Sequence, residues 1–188
     1  LSFLGDLSKE VNAKKYGLVF EEHREKIDEI LEQNAPIFTE EKDLFIDGGG
    51  ELNFLLEGDN LASLKLLEKT HRGKIDVIYI DPPYNTGIKS KDGGFKYDDS
   101  FVETEDSFKH SKWLSFISPR LKIAKELLTT DGFIIISIDD REQAPLKLIC
   151  DEIFGNNNFI NQFIWKRNSS GKTEKDKYTV NTEYVLLY

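Results

Sequence analysis

The sequence predicts an open α/β fold in which helices cover a mostly parallel sheet. Two short runs, Ile75–Ile80 and Phe133–Ile138, are apolar at nearly every position, a pattern typical of strands buried on both faces. Longer amphipathic segments separate such runs along the chain. Because apolar strands that alternate with amphipathic helices form layered α/β structures, we expect helices on both faces of the sheet.

The predicted elements follow one another closely. A surface helix is expected within Glu21–Gln33, ending before Pro36. From residue 52 the predicted order is strand Leu52–Glu57, helix Leu61–Lys69, strand Ile75–Ile80, helix Ser107–Thr129, strand Phe133–Ile138, helix Glu142–Phe154 and strands Phe159–Trp165 and Tyr184–Tyr188. We expect Pro119 to kink or split the long helix. The chain is therefore divided into an irregular and helical extension, residues 1–51, and a sheet-forming part, residues 52–188.

The composition excludes several classes of protein. A length of 188 residues fits one domain at ~100–200 residues per domain. The formal net charge of −9 argues against a general nucleic-acid coat, which needs clustered basic residues. One cysteine and three scattered histidines exclude a disulfide framework and a Cys/His zinc cage. Without a signal peptide or an apolar run of ~20 residues, we expect a cytoplasmic protein. Because the chain has no methionine, we also expect a fragment.

Carboxylates follow three of the predicted strands. Asp59 follows the first of them, Asp81 the second and Asp139 the third. Since the working crevice of an open α/β sheet lies beyond the carboxyl ends of its strands, these side chains are expected to face one cleft. Aspartate is also a common helix N-cap, which is an equal alternative at Asp59 and Asp139 and the favoured interpretation at Asp140.

The segment that begins at Asp81 is different, because Pro82 and Pro83 follow it directly. Pro82 restricts Asp81 to extended geometry, and neither proline has an N–H group that could occupy the neighbouring carbonyls. Tyr84 adds an aromatic ring. The Asp81–Tyr84 segment is therefore predicted to be a rigid row of acceptors beside a flat ring, which suits a planar ligand with an amino group, such as a nucleobase. A turn with a packed tyrosine is the structural alternative.

The Asp81-Pro82-Pro83-Tyr84 tetrapeptide resembles catalytic motif IV of amino-group DNA methyltransferases. Other motifs surround it in the order found in the Mod (modification) subunits of type III restriction–modification systems and related β-class adenine methyltransferases. They are Gly58 to Asn60, Ile78 to Gly87, His110 to Leu114, Ser137 to Asp140 and Asp151 to Gly155. The resemblance covers roughly residues 16–188. It implies a Rossmann-like methyltransferase sheet that is incomplete in this chain.

The resemblance implies transfer of a methyl group from S-adenosyl-L-methionine to the N6 amino group of adenine in DNA. The target base would be flipped out of the duplex and stacked on Tyr84. The implied catalytic residues are Asp81, Pro82, Pro83 and Tyr84. The implied cofactor contacts are Asp59, Asn60 and Asp81. The implied DNA contacts are Tyr84, Asn85, Thr86, Lys166 and Arg167, and no metal ligand is implied.

The sequence departs from this family in one respect. The Phe-x-Gly-x-Gly cofactor loop has no counterpart, since Gly48-Gly49-Gly50 precedes the first predicted strand. In the β class the catalytic half comes first, so we expect the target-recognition region and the cofactor loop beyond Tyr188. We therefore expect a longer protein, of which this fragment alone is inactive. Its expected partners are double-stranded DNA, a restriction (endonuclease) subunit and a second copy of itself.

Three other functions remain open at the level of sequence. A cytosine-N4 methyltransferase has nearly the same chemistry, although serine in place of Asp81 would favour it. A phosphoryl-transfer or hydrolytic enzyme could use Asp59, Asp81 and Asp139 as magnesium ligands, but no phosphate-binding glycine loop supports it. A catalytically silent DNA-binding or assembly module is consistent with the missing cofactor loop.

Overall fold

Four strands form one sheet in the computed structural model, which describes residues 18–86, 106–167 and 181–188. The strands are β1 (Ile75–Ile80), β2 (Leu128–Ile138), β3 (Asn161–Lys166) and β4 (Thr182–Leu187), in the spatial order β1-β2-β4-β3. β1 pairs with β2 in parallel, whereas β4 is antiparallel to both β2 and β3. Three of the four strands therefore run in one direction, which agrees with the expected open, mostly parallel sheet.

Four α-helices accompany the sheet in the described ranges. They are α1 (Lys26–Gln33), α2 (Asn60–His71), α3 (Lys109–Leu127) and α4 (Gln143–Cys150), and a π-helical turn (Asp151–Gly155) continues α4. Short 3₁₀ turns lie at Lys42–Leu44 and Asn156–Asn158. Pro119 lies inside α3 without splitting it. None of the helices in these ranges is long and apolar enough to cross a membrane.

The hydrophobic core lies between one face of the sheet and the helices α3 and α4. Ile134, Ile136 and Ile138 alternate along β2 and are all fully buried. The apolar stripe of α3 and the inner face of α4 pack against them, with Leu121 and Leu146 also fully buried. Alternate residues of β2 and the apolar stripe of α3 thus meet in one cluster.

The opposite face of the sheet is open in the described structure. Val77 and Tyr79 of β1 are 50% and 62% exposed, and Phe163 of β3 is 51% exposed. Among the described residues, no helix covers this face, so the second helical layer expected from the sequence is not seen. The continuous apolar strands predict a sheet that is buried on both sides, but they do not say which part of a protein covers each side.

The segment before α2 differs from the prediction. Leu52–Glu57 was predicted as a strand but has no strand geometry. Its side chains are largely exposed, with Phe54 at 80% and Leu55 at 94%. The run is apolar enough for a strand, yet it does not pair with the edge of the sheet, and this pairing cannot be read from composition.

Candidate active site

The carboxyl ends of β1 and β2 lie side by side. Ile80, the last residue of β1, pairs with Ile136, so β2 extends two residues further, to Ile138. Asp81 leaves β1 at this edge with an exposed side chain, and Pro82, the next residue, is buried. The sheet therefore presents a carboxylate to solvent on a segment anchored by a buried proline.

Trp113 fixes the second proline of this segment. Its indole Nε1–H donates to the Pro83 carbonyl at 2.7 Å, and the side chain is only 4% exposed. The Trp113 ring also lies in the core cluster. Its N–H group nevertheless holds the segment against α3. Across residues 18–86, 106–167 and 181–188, no donor hydrogen-bonds the Pro82 carbonyl, which remains a free acceptor.

The Tyr84 side chain contacts Asp81, the first residue of the same segment. Its ring packs against the core cluster while its hydroxyl donates a hydrogen bond to the Asp81 carboxylate. Burial, and then this bond to Asp81, raise the pKa of Tyr84 well above its ordinary value. The hydroxyl therefore remains a donor at neutral pH and orients the Asp81 carboxylate.

Asn85, directly after Tyr84, has an unusual backbone conformation. Its φ angle is +55°, a left-handed conformation that asparagine tolerates better than most residues. Its Nδ2 donates to Glu142 Oε1 at 2.5 Å and to the Lys109 carbonyl at 3.3 Å. The predicted site residue Asn85 is thus directed towards the protein interior in this structure.

Glu142 is a buried carboxylate at the centre of this region. It is 0% exposed and precedes α4, and its Oε1 atom also contacts His110 Nδ1 at 2.8 Å. Among the described residues, its Oε2 atom has no hydrogen-bond partner. Burial raises the pKa of the Glu142 carboxyl, while Asn85, His110 and Lys109 oppose this shift. Sequence reasoning missed Glu142 and gave His110 no role, although an acid two residues after Asp140, at a strand end, was a visible signal.

The two aspartates that follow β2 are held by local contacts. Asp139 is 6% exposed and accepts from the Arg141 backbone N–H at 3.0 Å and from the Arg141 guanidinium. The carboxylate of Asp140 accepts a hydrogen bond from the Tyr184 hydroxyl, which raises the pKa of Tyr184. The N-cap of α4 is Glu142, so the structure does not confirm the capping alternative for either aspartate.

Asp59 and Asn60 lie at the start of α2. Asp59 is the N-cap, and its Oδ1 accepts from the Ala62 N–H at 3.0 Å. Asn60 Oδ1 accepts from Arg120 Nε at 2.6 Å. Asp59 does not follow a strand, because residues 52–57 form none. The capping alternative is thus correct for one oxygen of Asp59, and its role toward a cofactor stays a prediction.

The remaining predicted contacts lie apart from this cluster in the sequence. Lys166 ends β3 and is exposed. Arg167 forms an ion pair with Glu183 at 3.1 Å. Thr86 directly follows Asn85. The sequence also predicts a phosphate-contacting loop at residues 161–177 and a loop at residues 88–100; most of the first and all of the second lie outside the described residues. In the part of the chain that the structure describes, no three His, Cys, Asp or Glu side chains come together as metal ligands. Asp59, Asp81 and Asp139 therefore do not form the ligand set that the magnesium alternative requires.

Comparison with known proteins assigns the chain to a family of DNA methylases, in agreement with its open α/β sheet and its Asp81–Tyr84 segment. The N6/N4 DNA methylase family model matches residues 75–188. The StyLTI Mod subunit of a type III restriction–modification enzyme from Salmonella typhimurium is 40% identical over an alignment of 157 residues, which covers 72% of this chain and 24% of that protein. The type II methyltransferase M.KpnI of Klebsiella pneumoniae is 44% identical over 132 residues, 70% of this chain and 31% of that protein.

A solved structure with a related outline is a DNA modification methylase, described as putative, from Thermus thermophilus in complex with S-adenosyl-L-methionine. It has a TM-score of 0.46 and 15% identity, over 66% of this chain and 51% of that one. The sequence matches are what assign the family. Because the family model covers more than half of its residues, the chain belongs to the N6/N4 DNA methylases. It spans 24% of the StyLTI Mod subunit, about a quarter of that length.

Proposed function

We propose that the full-length protein containing this chain methylates the N6 amino group of adenine in DNA, with S-adenosyl-L-methionine as methyl donor. Its family membership and its similarity to Mod subunits and to M.KpnI support this function. The observation that carries it is a pair of neighbouring acceptors at the end of β1. Asp81 has an exposed carboxylate, and the Pro82 carbonyl has no donor among the described residues.

These two acceptors match the chemical demand of the reaction. The exocyclic nitrogen of adenine is a weak nucleophile because its lone pair is delocalised into the ring. One acceptor for each amino hydrogen favours a more tetrahedral nitrogen, and the Asp81 carboxylate stabilises the positive charge that develops during attack. The Tyr84 hydroxyl occupies only one of about four acceptor positions on Asp81, so the carboxylate can bind the amino group as well. The bound cofactor supplies the electrophilic methyl group.

Asp59 and Asn60 are the described residues that we assign to the cofactor. The Ala62 N–H uses one oxygen of Asp59, and no partner contacts Oδ2 in the described structure. Arg120 uses the oxygen of Asn60, which leaves its amide N–H groups as donors. An acceptor followed by a donor at the start of a helix suits the hydroxyl groups and ring nitrogens of an adenosine moiety.

The DNA is expected to approach the same edge of the sheet. The target adenine would be flipped out and stacked on Tyr84, while Lys166 and Arg167 contact phosphates. Asn85 and Thr86 would shape the loop beside the base. As the modification subunit of a restriction–modification system, the protein would act in the cytoplasm, with a restriction subunit and a second copy of itself as partners.

The deciding experiment measures methyl transfer from labelled S-adenosyl-L-methionine to duplex DNA by the full-length protein. We expect Asp81→Ala to lower kcat by about 10²-fold or more, because one of two preorganised acceptors is lost. Asp131→Ala is the matched control, since Asp131 is an exposed aspartate near the start of β2. An unmodified protein that methylates no adenine contradicts the proposed function. An Asp81→Ala variant as active as Asp131→Ala contradicts only the role of Asp81.

A further inference from the structure

The backbone of Asn85 has a left-handed conformation, which is unfavourable for most residues, beside the proposed acceptors. Asn85 is the only described residue other than glycine with a positive φ angle. Such a conformation is less favourable for a residue with a side chain than for glycine, and surrounding contacts help to hold it. Asn85 directly follows Tyr84, so relaxation of this conformation moves the segment that carries Asp81 and Pro82.

The side-chain contacts that hold Asn85 in this conformation include one carboxylate oxygen, which a histidine also contacts. Glu142 Oε1 accepts from Asn85 Nδ2 at 2.5 Å and contacts His110 Nδ1 at 2.8 Å. Asn85 follows β1, His110 lies in the first turn of α3, and Glu142 lies between β2 and α4. Three separate elements therefore meet at a side chain with no exposed surface.

A buried carboxylate with so few partners is costly for the fold. Glu142 Oε2 has no hydrogen-bond partner, and burial of an incompletely bonded polar group is unfavourable. An apolar residue of similar size would avoid this cost. The Glu142 carboxylate is thus explained better by its contacts with Asn85 and His110 than by a contribution to stability.

We infer that Glu142 is a positioning residue, which acts through Asn85 to hold the Asp81–Tyr84 segment in the geometry that binds the target amino group. This inference rests on the proposed methyl transfer to adenine. In this role Glu142 contacts neither the base nor the cofactor. Its effect is to hold the Asp81 and Pro82 acceptors at a fixed position, on which the rate of an in-line transfer depends steeply.

The test compares variants of the full-length protein in steady-state methylation of duplex DNA. We expect Glu142→Leu to lower kcat by about 10-fold to 100-fold, the range for a misplacement of about 1 Å, while KM for S-adenosyl-L-methionine changes less than about twofold. Glu142→Gln should retain activity within about fivefold, because its amide oxygen can still accept from Asn85 and His110. Glu126→Leu and Glu126→Gln are matched controls, since Glu126 is 45% exposed and pairs only with Arg72 among the described residues.

Asn85→Gly separates the tether from the conformation and does not disturb the interior at Glu142. Glycine adopts the positive φ angle without strain, so the backbone conformation at residue 85 remains allowed and only the side-chain contacts of Asn85 are lost. We expect Asn85→Gly to lose kcat as Glu142→Leu does. The Asn85→Gly/Glu142→Leu double variant should be no slower than Asn85→Gly, because the bond between Asn85 and Glu142 is already lost in that single variant.

Three results would overturn the inference while the proposed function stands, with the unmodified protein active and Asp81→Ala inactive. The first is Glu142→Leu as active as Glu126→Leu. The second is a fully active Asn85→Gly. The third is a loss in Glu142→Leu that matches a loss of folded protein, measured by circular dichroism, and that Asn85→Gly does not share. An unmodified protein without adenine methylation contradicts the proposed function itself, independently of these variants.

Discussion

At the scale of single residues, Trp113 shows how one side chain serves both the core and the site. Its ring fills the core beside α3, and its N–H group satisfies the Pro83 carbonyl at 2.7 Å. Trp113→Phe keeps an aromatic ring but leaves that carbonyl without its donor. We expect the substitution to lower the free energy of unfolding by about 1–3 kcal/mol, measured by urea denaturation.

The other tryptophan provides the control for this prediction. Trp165 lies on β3 and is 64% exposed, so Trp165→Phe should change the free energy of unfolding by less than about 0.5 kcal/mol. Equal effects of the two substitutions would contradict the structural role of the Trp113 N–H group.

Individual site residues were predictable from sequence only where neighbours along the chain define them. The consecutive residues Asp81, Pro82 and Pro83 restrict their own backbone and remove its donors, and the structure has this segment at a strand end as expected. The contacts of Asn85 with Glu142 and of Trp113 with Pro83 span 57 and 30 positions. No local pattern encodes such contacts, because they depend on how α3 and α4 pack on the sheet.

At the scale of elements, a buried ion pair ties α1 and α2 to α3. Arg120 of α3 contacts both oxygens of Glu25, at 2.6 and 3.1 Å, and its Nε donates to Asn60 at the start of α2. Both charged side chains are about one-tenth exposed. Because removal of one partner leaves the other charge buried and unpaired, we expect Arg120→Met to cost about 3–5 kcal/mol in the free energy of unfolding.

Two further variants test this explanation by the same urea denaturation. Arg24→Met is the matched control, since Arg24 and Glu32 form an exposed pair that should contribute about 0–1 kcal/mol. Glu25→Leu/Arg120→Met removes both charges and should regain much of the loss. If the double variant is less stable than Arg120→Met, the unpaired charge is not the cause.

Elements were predicted well where several independent signals agree. β1 has the limits predicted from its apolar run and α3 lies within two residues of its predicted limits, whereas β2 begins at Leu128, five residues before the predicted Phe133. Leu52–Glu57 had a single signal, its apolar run, and forms no strand. Pro119 does not split α3, since one missing N–H group is compensated by a helix whose buried residues lie on both sides of the proline.

At the scale of the whole molecule, the sheet has one packed face and one open face. The order of motifs predicted an incomplete methyltransferase sheet, and family membership agrees with it. The exposed Val77, Tyr79 and Phe163 form an apolar surface on the open face. Such a surface is typical of an interface, and the sequence could not assign its partner because burial reflects the assembled protein.

The packed face predicts how the stability of the protein depends on pH. Cys150 and Tyr188 are 0% and 5% exposed, and burial raises the pKa of each above its ordinary value of 9.0 or 10.0. The Tyr188 hydroxyl also donates to Asp151 Oδ1 at 2.7 Å, which raises its pKa further. The folded state thus holds both protons more tightly than the unfolded state does.

The sign of the effect follows from this difference in proton affinity. Well below pH 9 both groups are protonated in either state, so their contribution to stability is fully present. As the pH rises through 9 and 10, the unfolded state loses protons that the folded state keeps, and stability falls. We expect the thermal midpoint of the full-length protein to decrease from pH 8 to pH 11. The decrease should be shallower in Tyr188→Phe, which cannot ionise at this position, even though the lost hydrogen bond makes it less stable at pH 8. Parallel midpoint curves for the two proteins would show that Tyr188 does not contribute to the alkaline loss of stability.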